Sequence, residues 1–268
     1  MKTILIIIFV VLAGLRLIPV ITGIVDGLFK AIRIIIDSLR LLAIAAVAGV
    51  VSLPVLFLPI DIPQEAKPWT PLNLDADGGL FQGLKVRALA YDRNLCRKAM
   101  NASRARALVM DDREHSNACH IRNRLRLTGL SQARLAPVET QCAIAARLYL
   151  WEREVVQPMA KELLGSPVAQ ILHQSSYSCR QMRTSRGTSS RMSQHATANA
   201  FDVSGFVLAN GQRIILLKHW NGDGPKAQFL REVRNGLCEW FNVTLSPDYN
   251  ALHADHFHVD MGPFLTCR

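Results

Sequence analysis

The sequence predicts an α+β domain, an antiparallel sheet with flanking helices, preceded by N-terminal transmembrane helices. Three observations carry this expectation. Aliphatic residues crowd the front of the chain, from Ile4 to Ile60, broken by only a few charges. Behind them, segments with helical period are mixed with segments that alternate like strands. Finally, "AFDVSGFVLANGQRIILL" sets two apolar strands around Asn210-Gly211, the strongest short signal for an antiparallel hairpin.

The front holds two apolar runs. "ILIIIFVVLAGLRLIPVITGIV" (Ile4 to Val25) is interrupted by Arg16 and Pro19, whereas "LLAIAAVAGVVSLPVLFLPI" (Leu41 to Ile60) carries no charge before Asp61. Each approaches the ~20 residues that cross a bilayer as a helix. Between them Asp26, Lys30, Arg33, Asp37 and Arg40 recur at helical spacing, which predicts an interfacial amphipathic segment over 26–40. A cleavable leader is the rival for the first run. "LAGL" offers neither an A-x-A site nor a lipoprotein cysteine, and a second apolar run follows, so residues 1–60 read as a membrane anchor of one or two helices. Lys30, Arg33 and Arg40 precede the second run and nothing basic follows until Lys67, so the positive-inside rule sends the C-terminal part out of the cytoplasm.

Six cysteines, Cys96, Cys119, Cys142, Cys179, Cys238 and Cys267, all follow the anchor, with no C-x-x-C pair. Dispersed and even in number in an exported domain, they predict three disulfides, with fifteen pairings open. The net charge of +10 suits an anionic polymer or lipid surface. The basic residues are scattered and not interleaved with aromatics, which argues against nucleic acid.

Residues 61–83, rich in proline and polar groups, read as a linker, and the globular domain as 84–268. "RNLCRKAMNAS" predicts a helix; the basic "DDREHSNACHIRNRLRL" after it reads as loop. In "PVETQCAIAARLYLWEREVVQPMAKELLG" Ile144, Leu148, Trp151 and Val155 share a helical face, with Thr140 as N-cap, Gly165 as terminator and Pro158 dividing the run. "VAQILHQSSYSC" predicts a strand and "RQMRTSRGTSSRMSQ" a mobile loop. In "KAQFLREVRNGLCEWF", Phe229, Leu230, Val233 and Leu237 mark the buried face of a helix. The final "HFHVDM" alternates like a strand.

Chemistry concentrates in two stretches. In "HADHFHVD" an extended backbone points His256 and His258 to one side. Such a pair in isolation is equally well a pair of hydrogen-bonded loop histidines. Upstream, "SQHATANAFD" supplies His195 and, seven residues on, Asp202, separated by small residues that let the chain pass close to something. Two histidines and a carboxylate leave an open position on a tetrahedral zinc ion, the arrangement that polarises a carbonyl and acidifies a water.

"SQHATANAFD" resembles the S-x-H-x-x-G-x-A-x-D zinc motif of the M15-type D-Ala-D-Ala peptidases, a group that shares its fold with the hedgehog signalling domain and the penicillin-insensitive murein endopeptidase. It departs at Ala198, where the group has glycine, a change that matters only if the backbone there needs positive φ. "HADHFH" resembles the closing H-x-x-H-x-H of the murein endopeptidases. Together with "SYSCR", "FLREVRNGLC" and "PDYNALHADHFHVDM", the stretch from about Pro68 to Arg268 looks like the bacterial extensin-like family. There are no Ser-Pro-Pro-Pro repeats of the plant proteins behind that name.

The resemblance implies zinc held by His195, Asp202 and His258. M15 enzymes place a glutamate base where this chain has Asp255, and the endopeptidase branch has histidines matching His253 and His256. His256 and His253 are therefore the first candidates for the base, with Asp255 next. Arg180 matches an arginine near the substrate carbonyl and would stabilise an oxyanion or bind a carboxylate. Ser193 would contact substrate or orient His195, and Asp260 would support a histidine. The implied function is a zinc-dependent peptidase acting on peptidoglycan peptides from the bacterial inner membrane, its domain facing the periplasm. A zinc-stabilised peptidoglycan-binding module without catalysis is the alternative.

Overall fold

The computed structural model describes residues 27–28, 30–50, 67–185 and 187–268. The chain forms two compact units, Met1–Asp61 and Ile62–Arg268. In the first, helix α1 occupies 30–50 and runs unbroken from the amphipathic segment into the second apolar run. The first apolar run and residues 51–60 of the second lie outside the described residues. Among the described residues no helix is long and apolar enough to cross a membrane.

The second unit opens with a segment that is more than a tether. Leu74 is fully buried, and Asp75 accepts hydrogen bonds from Tyr149 and, at 2.9 Å, from Arg104 Nε. Proline and polar residues made this stretch look like linker, because its one deeply buried side chain produces no periodicity. Helices α2 (Gln82–Ala88) and α3 (Arg93–Asn101) follow, the latter capped by the Asp92 carboxylate on Asn94 N and Leu95 N.

The stretch from Asp111, read as loop, instead holds strands. After β1 (Arg106–Val109) come β2 (Arg113–Ser116), β3 (Cys119–Ile121) and β4 (Arg124–Gly129). In β4 Leu125 and Leu127 are buried between outward arginines, the two-residue alternation that the density of charge concealed. Strand β5 (Arg134–Gln141) runs through Thr140, so the expected N-cap is a strand residue paired with Leu125, and helix α4 (Cys142–Trp151) begins two residues later. Every residue of α4 is buried, including Arg147, and Trp151 donates its indole N–H to Val233 O at 2.9 Å. The run divides at Pro158, as expected, without ending. A π-helical turn, Glu152–Val156, absorbs the missing donor, and the proline sits in the first turn of α5 (Gln157–Leu164). Gly165 ends α5 at φ 66°, as expected.

Strand β6 (Val168–His173) covers half of its expected stretch. The expected mobile loop is a two-stranded ribbon, β7 (Gln181–Thr184) with β8 (Gly187–Met192). The hairpin forms as expected, β9 (Ala200–Leu208) and β10 (Arg213–Ile215), turning at Gly211 with φ 85°. Short α6 (Leu216–His219) and α7 (Pro225–Trp240) follow, the latter burying Phe229, Leu230, Val233 and Leu237. Strands β11 (Val243–Leu245), β12 (Phe257–Asp260) and β13 (Thr266–Cys267) complete the unit.

The fold is α+β, and its sheet is mixed where an antiparallel one was expected. Nine strands run β1-β4-β5-β6-β9-β12-β11-β13 with β10 also on β9; β5–β6 and β11–β13 are parallel. Helices α4, α5 and α7 cover the sheet around Trp151, Phe206 and Phe229. Three disulfides form, Cys96–Cys142, Cys119–Cys179 and Cys238–Cys267.

Candidate metal centre

Strand β9 lies between β6 and β12, and this placement builds the site. In the β9–β12 register Asp202 faces His258 directly, so the two side chains leave the sheet on the same side. His195 arrives from a short 3-10 turn, Gln194–Thr197, and its own backbone N–H donates to the Ser193 hydroxyl at 3.3 Å. The turn closes at Ala198, which adopts φ 53° in the left-handed region. The carbonyl of Ala198 accepts from Gln141 N and Thr140 Oγ1, tying the turn to the end of β5. Thus Ser193 orients the His195 turn, one of the two roles expected of it, and the departure from glycine falls at a position where φ is positive.

His195 Nε2, Asp202 Oδ1 and His258 Nδ1 converge. The separations are 3.1 Å between the two histidines, 3.2 Å from His195 to Asp202 and 2.9 Å from His258 to Asp202. Three donors bound to one zinc ion at ~2.1 Å in tetrahedral geometry would lie about 3.4 Å apart, close to what is found. The outer nitrogens are committed elsewhere. His195 Nδ1 donates to Ser176 O at 3.1 Å, and His258 Nε2 to Asp260 Oδ2 at 3.0 Å. Both imidazoles therefore turn a lone pair inward, toward a carboxylate oxygen. Three electron-rich atoms at such distances repel unless a positive charge lies among them, so these residues fit a cation. A proton on the histidines is the other positive charge that can fill this role, and the pKa shifts follow from it. Burial raises the Asp202 carboxyl, but the hydrogen bonds and charges of His195 and His258 outweigh it and hold it well below the usual carboxylate range. Burial lowers His258, and hydrogen bonds to Asp202 and Asp260 overcome that and carry it to about 9.

The remaining expected residues line the cleft above this cluster, a cavity of about 590 Å³. His256 Nε2 lies 3.8 Å from Asp202 Oδ1, and its Nδ1 is 2.7 Å from Asp255 Oδ1. The other oxygen of Asp255 accepts from Gln174 Nε2 at 2.9 Å, so both ends of this carboxylate are engaged. His253 stacks beside His256 with centroids 5.2 Å apart, its Nδ1 on Asn250 Oδ1 at 2.8 Å. Burial first, then the neighbouring His258 and His256, lower the His253 pKa to about 4. Arg180 lines the same cleft, half-buried, at the entry to the β7–β8 ribbon, and the Cys119–Cys179 disulfide anchors the preceding residue. His173 packs on Phe201 and bonds Ala136 O, at the edge of the core.

Gln174, Ser176 and Asn250 are the supports the motifs did not reveal. Gln174 reaches a partner distant in sequence and Ser176 acts through its backbone carbonyl, so neither carries a local signal, whereas Asn250 caps the turn three residues before His253 and could have been read from turn chemistry. Asp260 does support a histidine.

Residues 94–268 match the family model described as "Extensin-like protein C-terminus", well over half of the chain, and the chain belongs to that family. Neither the curated proteins nor the solved structures include a match to it.

Proposed function

We propose that this extensin-like chain is a membrane-anchored zinc hydrolase of the bacterial envelope, its domain facing the periplasm and cleaving peptide bonds of peptidoglycan. The observation that carries the reading is the inward convergence of three lone-pair atoms whose histidines are each pinned from behind. The motif likeness to M15 peptidases and the hedgehog-type fold supports the zinc and the substrate class. His195, Asp202 and His258 would hold the ion. Bound there, zinc supplies Lewis-acid polarisation of an amide carbonyl and acidifies a water toward neutral pH.

The chain's own residues then have distinct tasks. His256 Nε2, facing the cluster, accepts the proton of the attacking water and returns it to the departing amide nitrogen. Asp255 holds His256 by its Nδ1 and steadies the imidazolium, while Gln174 fixes Asp255. This geometry favours His256 over the other two candidates. Asp255 has both oxygens engaged, and His253, lowered to about 4, is a weak proton acceptor. Arg180, at the cleft, would meet the oxyanion or a terminal carboxylate of the peptide.

The test combines elemental analysis with a muropeptide digest, using the full chain in detergent. Wild type should carry one zinc per chain and cleave; Asp202→Ala and His258→Ala should lose the metal. His256→Ala should keep zinc yet cleave about 10²–10⁴-fold more slowly. Wild type without stoichiometric metal sinks the reading. Metal with muropeptide binding but no cleavage identifies the alternative, a zinc-stabilised binding module.

A further inference from the structure

Helix α2 and the turns at its two ends carry apolar side chains on two sides, and among the described residues protein covers only one of them. Val86 and the following Leu89 are buried, 2 % exposed each. On the other side lie Leu84 and Arg87 of the helix itself, with Leu80 in the turn before it and Tyr91 in the turn after it, at intervals of four, three and four. Leu80 is 88 % exposed, Leu84 62 % and Tyr91 92 %, and Trp69, on the segment leading into the helix, 76 %. A hydrogen bond from Lys85 Nζ to Thr70 Oγ1, 2.9 Å, ties that segment to α2. Large exposed apolar side chains gathered in one short stretch mark a contact surface, and none of the described residues covers them.

We infer that this face, Trp69 with Leu80, Leu84 and Tyr91, seats the domain on an anionic lipid surface. Charge points to lipid. From Lys67 to Lys98 the chain has six basic residues against three acidic ones, Asp75, Asp77 and Asp92. Two of those acids are engaged, Asp75 with Arg104 and Tyr149 and Asp92 as the cap of α3. Residue chemistry agrees, since tryptophan and tyrosine with lysine and arginine are the groups that settle at headgroup depth. Chain length agrees too. The apolar run read as the second span ends at Ile60, nine residues before Trp69, and a fully extended connection of that length reaches only about 30 Å. The inference rests on the anchor reading for the position of the membrane but not on the zinc chemistry.

The full chain is reconstituted into vesicles of phosphatidylethanolamine and phosphatidylglycerol at about 3:1, an anionic surface, with or without brominated acyl chains. Trp69→Phe isolates the share of Trp69 in the emission; Trp151 and Trp220 are buried. That share should be quenched by brominated lipid, and at least threefold less in Leu84→Ser/Tyr91→Ser, whose thermal unfolding should match wild type because both side chains are exposed. Trp69 emission quenched by aqueous iodide and untouched by brominated lipid overturns the inference. An alkaline carbonate wash separates the two readings. Chain released by the wash refutes the anchor, whereas chain that stays embedded while brominated lipid at neutral pH leaves Trp69 unquenched refutes the face.

Discussion

Ala198 holds a left-handed backbone at the turn that delivers His195, a conformation that costs an alanine about 1–2 kcal/mol. Glycine would relieve that cost, yet it would add about 0.5–1 kcal/mol of chain entropy and remove a buried methyl worth about 0.8 kcal/mol. These contributions nearly cancel, which is why alanine stands where the related motif has glycine. Ala198→Gly should therefore move the denaturation midpoint by less than ~1 kcal/mol. Ala198→Val, β-branched in the same region, should cost at least about 2 kcal/mol and lower zinc occupancy together with stability. Unfolding in urea, read beside metal content, distinguishes the two variants. At this scale the three residues that the structure brings together, His195, Asp202 and His258, were legible because they sit in short motifs. Their supports were not, since Ser176 offers a carbonyl that any residue type possesses and Gln174 reaches Asp255 across 81 positions.

Among elements, the π-helical turn after α4 has a job of its own. It brings Glu152, fully buried, under the turn between β4 and β5, where its carboxylate accepts from Ser131 N, Ser131 Oγ, Gln132 N, Ala133 N and Gln157 Nε2. A carboxylate can only accept, so it suits a nest of donors. Glu152→Gln turns one oxygen into a donor aimed at other donors and should cost about 2–3 kcal/mol, measured by thermal or urea unfolding. An effect below ~0.5 kcal/mol would show that the turn relaxes freely. Helices α3 and α7 and the β9–β10 hairpin were legible from period and turn chemistry. The β7–β8 ribbon was not. Its residues are mostly exposed serines, arginines and threonines with half-buried Met182 and Met192, and it pairs next to the bridge at Cys179, over the cleft. Thr140 failed as a cap because its pairing with Leu125 and the hydroxyl contact with Ser176 hold it in the sheet.

For the whole molecule, the segment ahead of α2 is fastened by one carboxylate. Burial raises the Asp75 pKa, but hydrogen bonds from Tyr149 and Arg104 outweigh it and hold the group below its usual value. A carboxyl with a depressed folded pKa stabilises above its unfolded pKa, about 3.9, and loses that contribution as pH falls through the folded value. With Arg104 largely exposed, the contribution is about 1 kcal/mol after screening. The stability gap between wild type and Asp75→Asn should thus be constant from pH 7 to 5 and close on acidification below 4, as followed by urea unfolding. A gap that persists unchanged at pH 2 would assign the effect to packing. The α+β class was legible, but the parallel pairing of β5 with β6 was not, because the crossover through α4 and α5 is a property of the chain's path and leaves no mark in either strand.

The connectivity of the disulfides has a consequence for how the chain matures. The Cys96–Cys142 and Cys119–Cys179 bridges interleave, while Cys238–Cys267 stands apart. A chain oxidised as it emerges, each thiol joining the one before it, would close Cys96 on Cys119 and Cys142 on Cys179. Only the last pair would come out right. Reaching the native set then requires thiolate exchange through mixed intermediates, so the yield of active protein depends on an isomerase and not on an oxidant alone.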